Sequence, residues 1–307
     1  MSTRKTLQEL TLKDDFMFGT VMAEEKNCRD FLELVLGFPI GRIEVIREKT
    51  MAYHPENRGV RLDVYAKDNE EKRYNVEMQL RTKPEIGKRV RYYHSQIDME
   101  ALLSGQEYEK LPDVYVIFIC DFDPFGSGRY CYTFQPICAE DHQLVLNDGS
   151  TSIFLSTCGK NEEETPESLV QFLKYAGADL PASTEEYGDA FVRQLQESVR
   201  RIKGSWRMEE KFMRLEELLR EERAEGKAEG KEAGREEGHA LGKEEGRVLG
   251  KAESVLELLE DCGTVPEELK ERILTERDLD CLRRWHKLAA RAASVEQFTK
   301  EMEPEAK

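Results

Sequence analysis

The stretch that most constrains this chain is Val60 to Leu80. Val60-Arg61-Leu62-Asp63-Val64-Tyr65-Ala66 alternates and is rich in β-formers. A polar break follows at Asp68-Asn69-Glu70-Glu71, and then comes Arg73-Tyr74-Asn75-Val76-Glu77-Met78-Gln79-Leu80. Two such runs around a polar break predict a β-hairpin. A turn near Asn69/Glu70 sets Asp63 across from Val76 or Glu77. Residues two apart on a strand share a face, so Glu77 and Gln79 point the same way. Two carboxylates and an amide then converge, enough hard oxygen for one divalent cation with water and a phosphate completing the shell. The alternative is an ordinary solvent-facing pair of acids. Like charges across a ladder are unfavourable unless a cation or an arginine lies between them.

The rest of the chain builds a mixed α/β frame around that hairpin. Thr11-Leu12-Lys13-Asp14-Asp15 offers capping residues before the apolar entry of a helix at Phe16-Met17-Phe18, and a second helix through Phe31–Leu36 stops at Gly37. Alternation from Arg42 to Tyr53 predicts a first strand, and Lys83-Pro84 opens a helix carrying Arg89, Tyr93 and Gln96 to a stop at Gly105. Val114–Cys120 is a continuous apolar run, the pattern of a strand covered on both faces. Further strands are expected at Tyr130–Phe134 and, around the Asn147-Asp148-Gly149 turn, at Leu144–Leu146 and Ser152–Ser156. From Thr165 onward the periodicity is helical. The order, helix, three strands, helix, strand, reads as an α/β core with a mixed sheet.

Charge and cysteine usage narrow the function classes. The net charge is −16, divided as −5 over residues 1–160 and −11 over 161–307. Such acidity argues against a non-specific nucleic-acid coat, but not against a nuclease with local basic groups. No apolar run approaches the roughly 18 residues of a membrane span. Met1-Ser2-Thr3-Arg4-Lys5 leads into no apolar signal segment, and the seven cysteines include no C-x-x-C. Reduced thiols in a cytoplasmic protein without membrane partners are expected.

Asp15-Phe16-Met17-Phe18, Leu62-Asp63-Val64, Glu77-Met78-Gln79, Arg89 with Tyr92-Tyr93 and Gln96, and Gly105-x-x-Tyr108 occur in that order. Over about residues 7–225 this set resembles the recombination-promoting nuclease family, also classed as transposases, of the PD-(D/E)xK nuclease superfamily. The resemblance implies a nuclease-like αβββαβ core followed by helices and an acidic helical tail. It implies a DNA endonuclease dependent on Mg²⁺, with Mn²⁺ as a substitute, serving recombination, mobile-element or defence biology. Asp63, Glu77 and Gln79 would be catalytic, and Asp63, Glu77 and the Met78 carbonyl would hold the metal. Leu62 stands where the superfamily nominally has Pro, and Gln79 where it usually has Lys. A catalytically silent nucleic-acid-binding or regulatory protein that keeps the fold is the rival reading.

Gln79 carries no charge to stabilise an attacking hydroxide. Arg89, with Tyr93 and Gln96 at i+4 and i+7, is the candidate for supplying it, and Lys in place of Gln79 should keep or raise activity. Equally, Tyr93 could be a core residue and Arg89 the partner of an acid. Asp15 could complete the acidic cluster, act as a helix N-cap, or do both. Arg81, Lys83, Lys88, Arg89 and Arg91 form a basic run beside the acids, read either as a track for DNA phosphates or as a solvated helix face.

Glycine recurs every fourth residue from Gly226 to Gly250 among charged neighbours. This is a helical stalk or a flexible linker, and each glycine is worth about 1 kcal/mol of lost helix stability against alanine. The domain reading is a nuclease core at 1–160, appended helices at 161–225, the glycine segment at 226–252 and a small helical unit at 253–307. The apolar residues of that last unit, among them Leu256, Leu259, Leu269, Ile273 and Leu282, look too few for a core of their own. That implies a homo-oligomer formed through the C-terminal helices.

Overall fold

The computed structural model describes residues 5–51, 56, 59–82 and 84–302, the side chains of residues 233, 237 and 240 excepted. The chain divides into two compact units, 1–215 and 216–307.

The first unit is built on a six-stranded mixed sheet of order β1-β2-β3-β4-β6-β5. Its strands are β1 (Ile43–Met51), β2 (Val60–Asp68), β3 (Arg73–Gln79), β4 (Val114–Cys120), β5 (Cys131–Phe134) and β6 (Ser150–Ser156). β1, β2 and β3 form an antiparallel meander. β3 then runs parallel to β4 and β4 to β6, with β5 antiparallel on the far edge. One face carries α3 (Ile86–Ala101), whose Ile86, Val90, Tyr93 and Ile97 pack with Val116 and Phe118. The other face carries α1 (Asp15–Met22), α2 (Glu25–Leu36), α4 (Glu167–Ala176) and α6 (Ala190–Lys203) over Val64, Val76, Ile117 and Leu155. A short α5 (Leu180–Ser183) joins the last two. β4 lies between these layers with Val116 to Cys120 fully buried, as a continuous apolar run requires.

Local chemistry explains several boundaries. Gly37 ends α2 at φ 74, in the left-handed region that glycine enters without penalty. In the β2–β3 turn, Asp68 accepts the N–H groups of Glu70 and Lys72 on Oδ1 and the Tyr74 hydroxyl on Oδ2. Cys28 and Cys120 are buried packing residues, and all seven thiols are free.

Three expectations are corrected. Leu144–Leu146 is no strand of the sheet: both edges of β6 are already occupied, by β4 and β5, and the segment makes only an isolated bridge at Ile137↔Val145. Leu144 and Leu146 are accordingly exposed. The cap of α1 is Asp14, which accepts the Thr11 N–H at 2.7 Å, and Asp15 is the first helical residue.

The third correction concerns the second unit. α7 (Trp206–Glu260) is helical through the whole glycine repeat. With α8 (Glu267–Thr275), α9 (Leu279–Ala289) and α10 (Val295–Glu301) it encloses a separate core of Ala252, Val255, Leu259, Ile273, Leu282, Trp285 and Phe298. Trp285 adds a hydrogen bond from its indole N–H to the Met302 carbonyl. These helices therefore do enclose a core of their own.

Candidate active site

Asp63 sits where the sheet comes apart. β1 and β2 pair along their length except at Glu48 and Asp63, and β2 pairs with β3 only from Val64↔Val76 toward the turn. The strands also change faces here. Val60 and Leu62 pack on the α3 side, whereas Val64 and Ala66, of the same parity, pack on the α1 side. Ile43 and Met51 of β1 show the same switch. Glu48 accommodates it at φ 53, a backbone conformation that for a glutamate stores on the order of 1–3 kcal/mol.

Side chains replace the missing ladder. The Asp63 N–H donates to Glu77 Oε1 at 3.2 Å, and the Met78 N–H donates to Asp63 Oδ2 at 3.2 Å. A residue's N–H and C=O leave an extended strand on the same side, so the Met78 carbonyl faces this gap too.

On β3 the α3 face carries Glu77 and Gln79, and both are bound by Arg89. Its Nη2 donates to Glu77 Oε2 at 3.2 Å, its Nη1 to Gln79 Oε1 at 2.7 Å, and its Nε to the Tyr93 hydroxyl at 2.7 Å. Position i+4 of α3 brings Tyr93 under the guanidinium, whose carbon lies 5.1 Å from the Tyr93 ring centroid and 5.4 Å from that of Phe118. Arg89 is thus partner to an acid, and Tyr93 is also a core residue stacked on Phe118. Gln79 Nε2 donates to the Arg81 carbonyl at 2.7 Å, so both ends of its amide are engaged within the chain.

Gln96 is buried one turn further on, where its amide reaches Met99 Sδ at 4.0 Å and no site residue. Arg81, Lys88 and Arg91 are exposed and form no ion pair among the described residues; Lys83 lies outside them.

The electrostatics follow from this geometry. Burial, and then repulsion by Asp63, pushes the Glu77 carboxyl well above the usual carboxylate range, with Arg89 and the Asp63 N–H opposing. Asp63 is raised by burial and by Asp15, against the Met78 N–H, Arg89 and Arg61. Desolvation raises Asp15 in turn, and Arg61 opposes that shift.

Sequence reasoning missed three of these participants. Arg61 precedes Asp63 by two residues, a proximity visible in the sequence. Nothing in the sequence marks Glu48 as the residue of the face switch. Arg47 is held on the α1 side, where it donates to Thr20 Oγ1 at 2.6 Å and lies 4.9 Å from the Phe16 ring centroid. It fits there because residue 19 is glycine: a Cβ would stand 2.7 Å from Arg47 Nε.

The donor set suits a hard divalent ion. Two carboxylates of raised pKa and a backbone carbonyl face one gap, and a cation would relieve the repulsion that raises them. Among the described residues no three acidic, histidine or cysteine side chains converge on one point. An ion there would therefore keep several waters, as Mg²⁺ and Mn²⁺ do.

No helix among the described residues is long and apolar enough to cross a membrane. No curated protein and no solved structure matches the chain. The sequence model of the PD-(D/E)XK nuclease family transposases matches residues 12–213, a span that contains the whole sheet, the split hairpin and Arg89. Nucleases of this kind use divalent metal ions and act on DNA. The chain belongs to the PD-(D/E)XK nuclease family transposases.

Proposed function

We propose that this protein is a Mg²⁺-dependent DNA endonuclease, able to use Mn²⁺, that hydrolyses phosphodiester bonds at the gap between Asp63 and Glu77. The observation that carries the reading is the split of β2 from β3 at these two acids, which leaves backbone and carboxylate oxygens facing one gap. Asp63, Glu77 and the Met78 carbonyl would hold the ion. Bound there, it supplies a water of lowered pKa and neutralises charge that builds on the phosphate.

The chain's own groups prepare that site. Arg89 favours the ionised form of Glu77 and fixes the rotamers of Glu77 and Gln79. Gln79 orients Arg89 rather than a water, since its amide is already bonded at both ends. Asp63 and Glu77 hold their protons more tightly than ordinary carboxyls, so metal binding releases protons, and affinity rises with pH through the raised range. Asp15 adds negative potential from the start of α1, and Arg81, Lys88 and Arg91 offer exposed positive charge to the flanking DNA backbone.

Work in recombination, mobile-element or defence biology, a cytoplasmic location and a homo-oligomer formed through α7–α10 belong to the same proposal. For the last, the support is that no described atom lies within 4 Å of a Cβ added at any of the α7 glycines from Gly226 to Gly250, leaving bare backbone open to a partner.

A second reading, a silent DNA-binding protein that keeps the fold, draws on one observation: Arg89 already pairs with Glu77 through Oε2 at 3.2 Å, supplying positive charge to that carboxylate without a cation. Nicking of supercoiled plasmid with Mg²⁺, run on the parent and on Glu77→Gln, separates the two. Metal-dependent nicking lost in the variant supports the endonuclease. DNA binding without nicking in the parent supports the silent protein.

A further inference from the structure

A hydrolytic site of this kind needs positive charge on the phosphate, and Gln79 does not bring it. Arg89 does not bring it freely either. Its Nε, Nη1 and Nη2 donate to Tyr93, Gln79 and Glu77, and its guanidinium carbon lies within 5.4 Å of two aromatic ring centroids. Swinging it to a substrate would leave Glu77, 1 % exposed, without its cation.

We propose that Arg61 grips the DNA phosphate beside Asp63, and that Arg89 is a positioning residue that stays on Glu77. Val60 and Leu62 on either side of Arg61 point into the α3-side core, so Arg61 projects from the opposite face, the one that carries α1. Asp15 begins that helix, and Asp63 follows two residues along the strand at the point where β2 parts from β3.

Arg61 is exposed and makes no hydrogen bond or ion pair among the described residues, unlike Arg47 on Thr20 and Arg89 on Glu77. It stands on β2 two residues before Asp63, at the edge of the split, with its five N–H donors unspent. A planar guanidinium with free donors suits bidentate contact with a phosphate.

This assignment rests on the endonuclease reading, and the experiment keeps the two apart. Full-length parent, Arg61→Gln, Arg61→Lys and Arg89→Gln are compared in three ways. These are Mn²⁺ affinity by calorimetry, affinity for a short duplex in Ca²⁺ across about 50–200 mM salt, and steady-state plasmid nicking in Mg²⁺. For Arg61→Gln, Mn²⁺ affinity should stay within about twofold. The slope of log K against log salt should flatten by about one, the loss of a single phosphate contact, and kcat/KM should fall about 100-fold. Arg61→Lys should recover the slope and part of the rate. Arg89→Gln should keep the slope while changing Mn²⁺ affinity and its pH dependence. Arg61→Gln with the parent's slope and rate overturns the assignment, as does loss of Mn²⁺ binding in that variant. A parent that neither binds nor nicks DNA overturns the endonuclease reading and this inference with it.

Discussion

Replacing Asp63 by asparagine should make the protein more stable as it destroys cutting. Among the described residues Asp63 has no ion pair, and the one bond that its side chain accepts there, from the Met78 N–H, can equally be accepted by an amide oxygen. What the substitution removes is negative charge. Asp63 is, after burial, the largest cause of the raised Glu77 carboxyl, and it is itself repelled by Asp15. Each pKa unit of such repulsion is worth about 1.4 kcal/mol, so relief on the order of 1–3 kcal/mol is expected. For a unit of this size that is a rise in melting temperature of roughly 2–10 °C. The pH dependence has a definite sign. Both carboxyls titrate above their unfolded values, so the native state holds more protons than the unfolded state between about pH 4 and the raised range. The parent therefore loses stability as pH climbs through that range. Asp63→Asn escapes part of this loss, and its advantage should be largest near pH 8 and shrink toward pH 5. Scanning calorimetry at both pH values, with a nicking assay, is the test. A variant that melts below the parent at pH 8, or differs from it equally at both pH values, would show that repulsion does not govern this pair.

The remaining expectations follow from single contacts. Gln79→Lys places an ammonium where Arg89 Nη1 now donates to an amide oxygen; against the reading from sequence, nicking should fall at least about 10-fold, and Arg89→Gln in the same chain should restore part of it. Parent-like nicking by Gln79→Lys alone would mean that Arg89 moves freely. Gly19→Ala gains about 1 kcal/mol of helix propensity, but its Cβ would meet Arg47 Nε at 2.7 Å. A net loss of about 1 kcal/mol in urea unfolding is expected, and a net gain would show that Arg47 leaves its place without penalty. Deleting residues 226–307 should leave a soluble core that melts cooperatively and still binds Mn²⁺, because Phe212 and Leu215, the last α7 residues in the core, are retained. Light scattering on both forms then assigns self-association, to the tail if the truncated form alone is monomeric.

What the sequence made legible is what neighbours along the chain decide. The hairpin at Val60–Gln79, the stop at Gly37 and the buried strand Val114–Cys120 each depend on a few adjacent residues, and each appears in the structure. Arg89, Tyr93, Glu77 and Gln79 do meet, since helical and strand periodicity aim both pairs. What was hidden depends on contacts across the chain. Gln96 has the right helical phase for the site, yet it lies two turns along α3 from Arg89, buried with its amide on Met99 Sδ. The C-terminal core is assembled from apolar residues scattered between Val248 and Met302, so no short window shows that they suffice. The face switch at Asp63 is the most instructive case. Val60, Leu62, Val64 and Ala66 read as one continuous apolar stripe, and strict alternation would send all four to the same side and Asp63 to the other. The structure instead divides them two and two, with Asp63 at the division and Glu48 opposite it in a left-handed conformation. A regular β2 would have paired the Asp63 and Met78 N–H groups with backbone carbonyls. The irregular one leaves them to the two carboxylates, and so the flaw in the sheet is what brings Asp63 and Glu77 into a single site.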